Sequence, residues 1–164
     1  MSVLPIVQWP DPRLSTVCTP VDRPDFGTRL TDMFDTMYAA KGRGLAGPQV
    51  GVLERLFVMD AGWKDGTPTP RVMINPDIEP RGAAVPLAET CLSVPDVAVP
   101  VARAPRVFVR WQDEHGGTHE ALFEGAEARI IQHEFDHLDG KLHFDRVSPE
   151  LRADLETPYL KAHS

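Results

Sequence analysis

His133-Glu134-Phe135-Asp136-His137 places two imidazoles four residues apart with a carboxylate beside the first. On a helix the two rings share one face, one turn apart, and can chelate a single metal ion. Glu134 is then placed to take a proton from a metal-activated water and to return it to a leaving amine. That is the chemistry of a metal-dependent amide hydrolase. The alternative is a histidine-rich surface helix.

Two histidines do not complete such a site, which uses three protein ligands and keeps an open position. His143 is one candidate, because His133 to His143 fits the extended H-E-x-x-H-x-x-G-x-x-H pattern of metzincin proteases. That pattern also needs a downstream Met-turn, and no methionine follows Met73. Cys91 is the better candidate. With Cys18 far from it in a chain without an evident export signal, both thiols are expected to be reduced.

The elements that must position these groups are short. Fourteen of the sixteen prolines fall in the first two thirds of the chain, which predicts brief segments with stiff connections and room for only two long helices. Leu30, Met33, Phe34 and Met37 recur at helical spacing and predict a helix over 26–40. Strands are predicted at 56–59, 72–74, 107–111 and 120–123, the last two joined by a turn at Glu114-His115-Gly116-Gly117. The histidine-bearing helix is predicted over 126–138, stopped by Gly140. Ser148 followed by Pro149 predicts the cap of a short third helix. The expected architecture is α+β, with short antiparallel or mixed strands packed around a central metal-binding helix in one domain, residues 1–164.

Composition narrows the function classes. Apolar residues at 42% and charged residues at 25% fit a globular core. A net charge of −7, with no basic run, argues against gripping nucleic acid through phosphates. No stretch reaches the roughly 20 apolar residues of a membrane span, and the start lacks signal-peptide character, so a cytoplasmic location is expected.

Three separated motifs carry a family resemblance. Glu89-Thr90-Cys91-Leu92-Ser93 closely resembles the E-G-C-L-S motif of peptide deformylases. The run from Gly42 through Arg43, Gly44, Leu45, Ala46, Gly47, Pro48 and Gln49 to Gly51 resembles their G-x-G-L-A-A-P-Q motif. Gln132 to Gly140 supplies the third, and the opening Ile6 to Leu14 also looks like the family's start. The motifs keep the family's order and spacing over nearly the whole chain.

The resemblance implies that Cys91, His133 and His137 hold one divalent metal ion, usually iron(II) in the cell, with zinc or nickel as substitutes. It implies that Glu134 is the acid/base, that the Gln49 amide and the Leu92 backbone N–H donate to the carbonyl oxygen, and that Gly44 lets substrate approach. The implied reaction removes the formyl group from the N-terminal methionine of peptides, in contact with N-formylated peptide or a small N-acyl substrate and transiently with the ribosome. Two other readings stand beside it: a divergent amidase with a polar or acidic side-chain preference, and a weakly active, metal-holding inhibitor decoy.

Departures from the pattern cluster near the site. Thr90 stands where the family has glycine, and Gly47 where it has alanine. Arg43 and Arg129 stand at positions where the family lines its methionine pocket with apolar residues. Arg129 shares a helix face with His133 and His137 and is expected to project toward the pocket. Two guanidinium groups there would favour an acidic first side chain, unless the arginines pair with Glu89, Glu124 or another acid. Arg103 is the expected partner of Glu89. Cys18, His115, His119 and His163 are read as packing, turn and surface residues, and His143 as a half-buried structural histidine.

Overall fold

A computed structural model describes residues 2–22 and 25–163. The first helix, α1, runs Arg29–Ala39 and buries Met33, Thr36 and Met37. It ends at Lys41, whose φ of 60° turns the chain out of the helix. Phe26 lies before the helix and packs at the edge of the cluster formed by Met33, Met37, Leu45, Leu56 and Val58.

Seven strands form two antiparallel sheets. They are β1 (Gly44–Ala46), β2 (Leu56–Asp60), β3 (Pro70–Arg81), β4 (Val85–Cys91), β5 (Val94–Arg103), β6 (Arg106–Gln112) and β7 (Thr118–Glu124). The larger sheet has the order β1-β2-β3-β6-β7, and β4 pairs with β5 alone. Every residue of β2 is buried, which explains why its sequence is an unbroken apolar run ending in Asp60. The β6–β7 turn is closed by Asp113, which accepts from the backbone N–H groups of His115 and Gly117.

Strands β1, β4 and β5 are absent from the sequence-based expectation, and β3 is far longer than the expected 72–74. For β4 and β5 prolines are the reason, while β1 is only three residues long. Pro86, Pro95 and Pro100 interrupt the pattern of the β4–β5 hairpin, yet a two-stranded sheet leaves each strand one free edge where a missing N–H costs no ladder bond. In β3 the register shifts between Ile74 and Asp77. Asn75, at φ 48°, makes that bend and secures it with side-chain bonds to both backbone groups of Val21.

The second helix, α2 (Gly125–Leu138), lies across the sheet and buries a face from Ala128 and Ile131 through Leu138. Ala128, Ile131 and Leu138 pack with Ala46, Phe57, Met59, Met73, Val107, Val109 and Phe123. Gln132 clamps the helix to the β5–β6 link, bonding both backbone groups of Ala104. Gly140 follows at φ 73°, with the Ser15 carbonyl so close that a Cβ would strike it.

The third helix corrects the expectation of a short segment and of only two long helices. α3 runs Pro149–Ala162, 14 residues with Pro158 inside, and Ser148 caps it by accepting from Leu151 N–H at 3.2 Å. The helix continues past Pro158 because tertiary contacts hold it: buried Tyr159 packs on Trp9 and donates to the Trp9 carbonyl at 2.8 Å.

Candidate metal centre

α2 and the β4–β5 hairpin meet where the chemistry-bearing residues converge. α2 presents His133 and His137 with ring centroids 5.0 Å apart. A register shift between Glu89 and Cys91 turns the end of β4, so that Cys91 is buried facing the helix. Its Sγ lies 3.5 Å from His137 Nε2. Ligand atoms of Cys91, His133 and His137 all lie within 4.8 Å of one another, and among the described residues this is the group of three that could hold a metal ion.

The donor set suits a metal. Glu89 Oε1 accepts from His133 Nδ1 at 2.9 Å, which leaves Nε2 turned inward. His133 is raised well above its ordinary pKa: burial opposes its charge, but Glu134, Cys91 and Glu89 outweigh that. His137 is pushed well below its own by burial, His133 and His143, and stays neutral as ligation requires.

Glu134 faces the same space. Its Oε1 is buried without a hydrogen-bond partner, and burial, with Glu89 and Asp136 nearby, lifts its pKa to about 7. Gly44 in β1 makes room for that carboxyl group, because a Cβ on Gly44 would overlap Glu134 Oε2. This differs from the role the sequence suggests, since the close approach is to Glu134.

Gln49 sits on a 3₁₀ turn, Gly47–Val50, directly after β1. Its Oε1 accepts from Ala46 N–H at 2.9 Å, and its Nε2 donates to Ser93 Oγ at 3.0 Å and faces Cys91 Sγ at 3.7 Å. The Leu92 side chain lies over Gly42, where an added Cβ would meet it at 2.7 Å.

A cavity of about 230 Å³ opens beside the ligands, bordered by Arg43, Thr90, Ala126, Arg129, Ile130 and Glu134 among others. Arg129 borders it but is committed elsewhere. Its Nη1 donates to Glu89 Oε2 at 2.8 Å, and its Nη2 to the carbonyls of Val101, at 3.1 Å, and Val85. Arg43 is exposed at the cavity, and Thr90 stands at its rim.

Behind His133 runs a buried charge network. Glu89 takes both Nε and Nη2 of Arg103, at 2.8 and 2.9 Å, and those contacts hold its pKa down at about 2 against its burial. Arg103 Nη1 reaches Asp136 at 2.6 Å, and Asp136 accepts in turn from Arg146. Asp136 and Arg146 carry no role in the sequence reading. The signal was the aspartate inside the histidine motif, where a solvent-facing residue would do for the metal alone.

One further expectation, that of a half-buried His143, is corrected here. His143 is fully buried, with its ring centroid 6.2 Å from His133, and lies outside the three-ligand group. His119 does have a partner, Asp113 Oδ2 at 2.6 Å from its Nε2, because the β6–β7 turn folds them together. Cys18 is a buried thiol whose pKa burial raises.

Comparison with known proteins points to one family. The sequence profile of a family described as polypeptide deformylase matches residues 3–153. Peptide deformylase 2 of Xanthomonas campestris is 46% identical over 91% of this chain and 89% of its own. The peptide deformylase of Azotobacter vinelandii is 43% identical over 99% and 98%. Among solved structures, a peptide deformylase from Legionella pneumophila superposes with a TM-score of 0.91 at 38% identity, covering 99% of this chain and 96% of that one. One from Synechococcus elongatus, solved in complex with actinonin, gives 0.88 at 38% identity, covering 94% and 86%.

Proposed function

The chain belongs to the polypeptide deformylase family and is a metal-dependent amide hydrolase of that kind; we propose that it hydrolyses the N-formyl amide of formyl-methionyl peptides through Cys91, His133, His137, Glu134, Gln49 and Leu92. The observation that carries the reading is the Cys91, His133 and His137 group within 4.8 Å, with the Glu134 carboxyl group buried beside it. Neither a non-peptide amidase nor an inhibitor decoy draws support from the relatives.

A divalent ion, iron(II) in the cell with zinc or nickel able to stand in, would be held by Cys91 Sγ and the two imidazoles. When bound it supplies Lewis acidity and lowers the pKa of water. Glu89 holds His133 through Nδ1, which leaves Nε2 as the atom that would bind the ion. Glu134 takes the proton from the attacking water as the water oxygen bonds to the formyl carbon. It then gives that proton to the nitrogen as the C–N bond breaks, so formate and a free amine leave. The Gln49 Nε2–H and Leu92 N–H donate to the carbonyl oxygen as negative charge develops, an interaction whose loss costs about 3 kcal/mol of barrier.

Arg43 and Thr90 belong to the substrate side of the site, with Arg129 bracing its frame and Gly44 making room for Glu134. The outer edge of β4 carries no strand partner, so an extended peptide can lie along it. The same reading makes residues 1–164 one deformylase-like domain and sets its work in the cytoplasm, on formylated chains and in transient contact with the ribosome. No helix among the described residues is long and apolar enough to cross a membrane.

The test is formate release by protein loaded with iron(II) without oxygen, across formyl peptides differing in their first residue. Turnover of formyl-methionyl peptides is the expected result. Failure on every formylated peptide, with turnover of another N-acyl amine, would replace this reading with the divergent amidase.

A further inference from the structure

The cavity beside the metal ligands is bordered by two arginines, Arg43 and Arg129, and two carboxylates, Glu89 and Glu134. Its two arginines stand in different situations. Arg129 is spent on Glu89 and on the carbonyls of Val85 and Val101. Glu89 is itself shared with Arg103 and His133, and Asp136 with Arg103 and Arg146. Three guanidinium groups thus share the two carboxylates behind the cavity, and the other carboxyl group bordering it, Glu134, is the acid/base beside the metal ligands and among the described residues pairs with no arginine.

Arg43 is a further cation. It is exposed at the cavity, and among the described residues its guanidinium makes no ion pair. The backbone beneath it is fixed on both sides. Asp60 N–H donates to the Arg43 carbonyl at 2.9 Å, Trp63 Nε1 donates to the Gly42 carbonyl at 2.9 Å, and Gly44 pairs with Met59. The root of the side chain is therefore set while its charged end stays uncommitted, which lowers the entropic cost of engaging a ligand. Ala88 and Ala126, small residues on the same cavity, leave the guanidinium space.

We propose that Arg43 is a specificity-determining residue of this site, favouring formyl-methionyl chains that carry a carboxylate on the residue after the methionine. The proposal rests on the deformylase reading. With the formyl carbon beside Glu134, the next side chains of the substrate pass the cavity that Arg43 borders. A carboxylate there can accept paired N–H donors from the guanidinium. Because Arg43 is exposed, the preference is about tenfold rather than larger, and salt weakens it.

The experiment compares kcat/KM for formyl-Met-Ala, formyl-Glu-Ala and formyl-Met-Glu amides in the metal-loaded parent, Arg43→Ile and Arg43→Lys. Calorimetric binding of the corresponding unformylated peptides runs beside it. In Arg43→Ile the ratio of acidic to neutral substrate should fall about tenfold, Arg43→Lys should keep most of it, and added salt should erode it in the parent and in Arg43→Lys but not in Arg43→Ile. Formyl-Met-Glu should lose most, and a loss confined to formyl-Glu-Ala would overturn the assignment to the residue after methionine. Ratios within twofold of the parent in Arg43→Ile, for both turnover and binding, would overturn the proposal. If no formylated peptide were hydrolysed, the deformylase reading would fall, while the calorimetric ratios would still decide what Arg43 does.

Discussion

The carboxyl group of Glu134 occupies the space that a side chain on Gly44 would fill. One residue sits on the metal-binding helix and the other on the edge strand of the larger sheet, so the acid/base position is set by how closely α2 packs on β1. Glu134 is 4% exposed and has little room to retreat.

Gly44→Ala should therefore displace the carboxyl group without disturbing the fold or the ligands. The expected result is a fall in kcat/KM of at least about tenfold, since small displacements of a catalytic group are costly, with metal content and circular dichroism unchanged. Parental activity in Gly44→Ala would show that Glu134 does not work from this position.

Glu134→Gln separates proton transfer from metal binding. The amide is nearly isosteric but cannot carry the proton from water to amine, so turnover should drop about 10²- to 10⁴-fold while the metal stays bound. Elemental analysis and formate release measure the two properties independently. Turnover within tenfold of the parent would remove Glu134 from the acid/base role.

Cys91→Ala and His137→Ala should each lose the metal, because two donors seldom retain a divalent ion that three hold. Elemental analysis after dialysis reads this directly. Full retention by Cys91→Ala would return His143 to consideration, although its ring lies outside the three-ligand group.

How far the molecule is legible in its sequence depends on the range of the interaction concerned. Histidine spacing is a local property of one helix, and the α2 span and the β6–β7 hairpin follow from periodicity and glycine placement. The β4–β5 hairpin is hidden because a proline reads as a break unless the strand is known to lie at an edge, which only the assembled sheet decides. The start of α3 at Ser148-Pro149 is legible, but its length is hidden for a related reason: Pro158 signals a stop, and the Tyr159 contact with Trp9 lies 150 residues away. Arg129 could face substrate or pair with Glu89. Its commitment depends on the offset between β4 and α2, which no local pattern encodes.

Tyr38 and Trp63 support the wall that carries Arg43. Tyr38 donates to Asp60 Oδ2 at 2.6 Å and meets Trp63 edge-on, and Trp63 holds the Gly42 carbonyl. Burial first, then Asp60, raises the Tyr38 pKa from 10.0 to about 12. The folded value lies above the unfolded one, so this contribution to stability is complete below pH 10 and is lost as pH rises through about 12. Tyr159, the other tyrosine, is also raised by burial. Phenolate absorbance should therefore stay well below half of its final value at pH 10 in the folded protein. Half ionisation at pH 10 would mean that neither phenol is shielded as described.

Arg129→Ile tests whether the second arginine at the cavity reads substrate charge or secures the frame. The substitution leaves Glu89 with Arg103 and His133, so the ring orientation at the metal survives. It removes the donor shared by the Val85 and Val101 carbonyls, which joins both strands of the β4–β5 hairpin to α2. Loss of a charged donor to partly buried acceptors costs about 1–3 kcal/mol. Denaturant unfolding of Arg129→Ile should show that loss, with the ratio of acidic to neutral substrate within about twofold of the parent. A large shift in that ratio with stability unchanged would mean that Arg129 releases Glu89 and turns to substrate, and the charge reading assigned to Arg43 would have to be shared between the two.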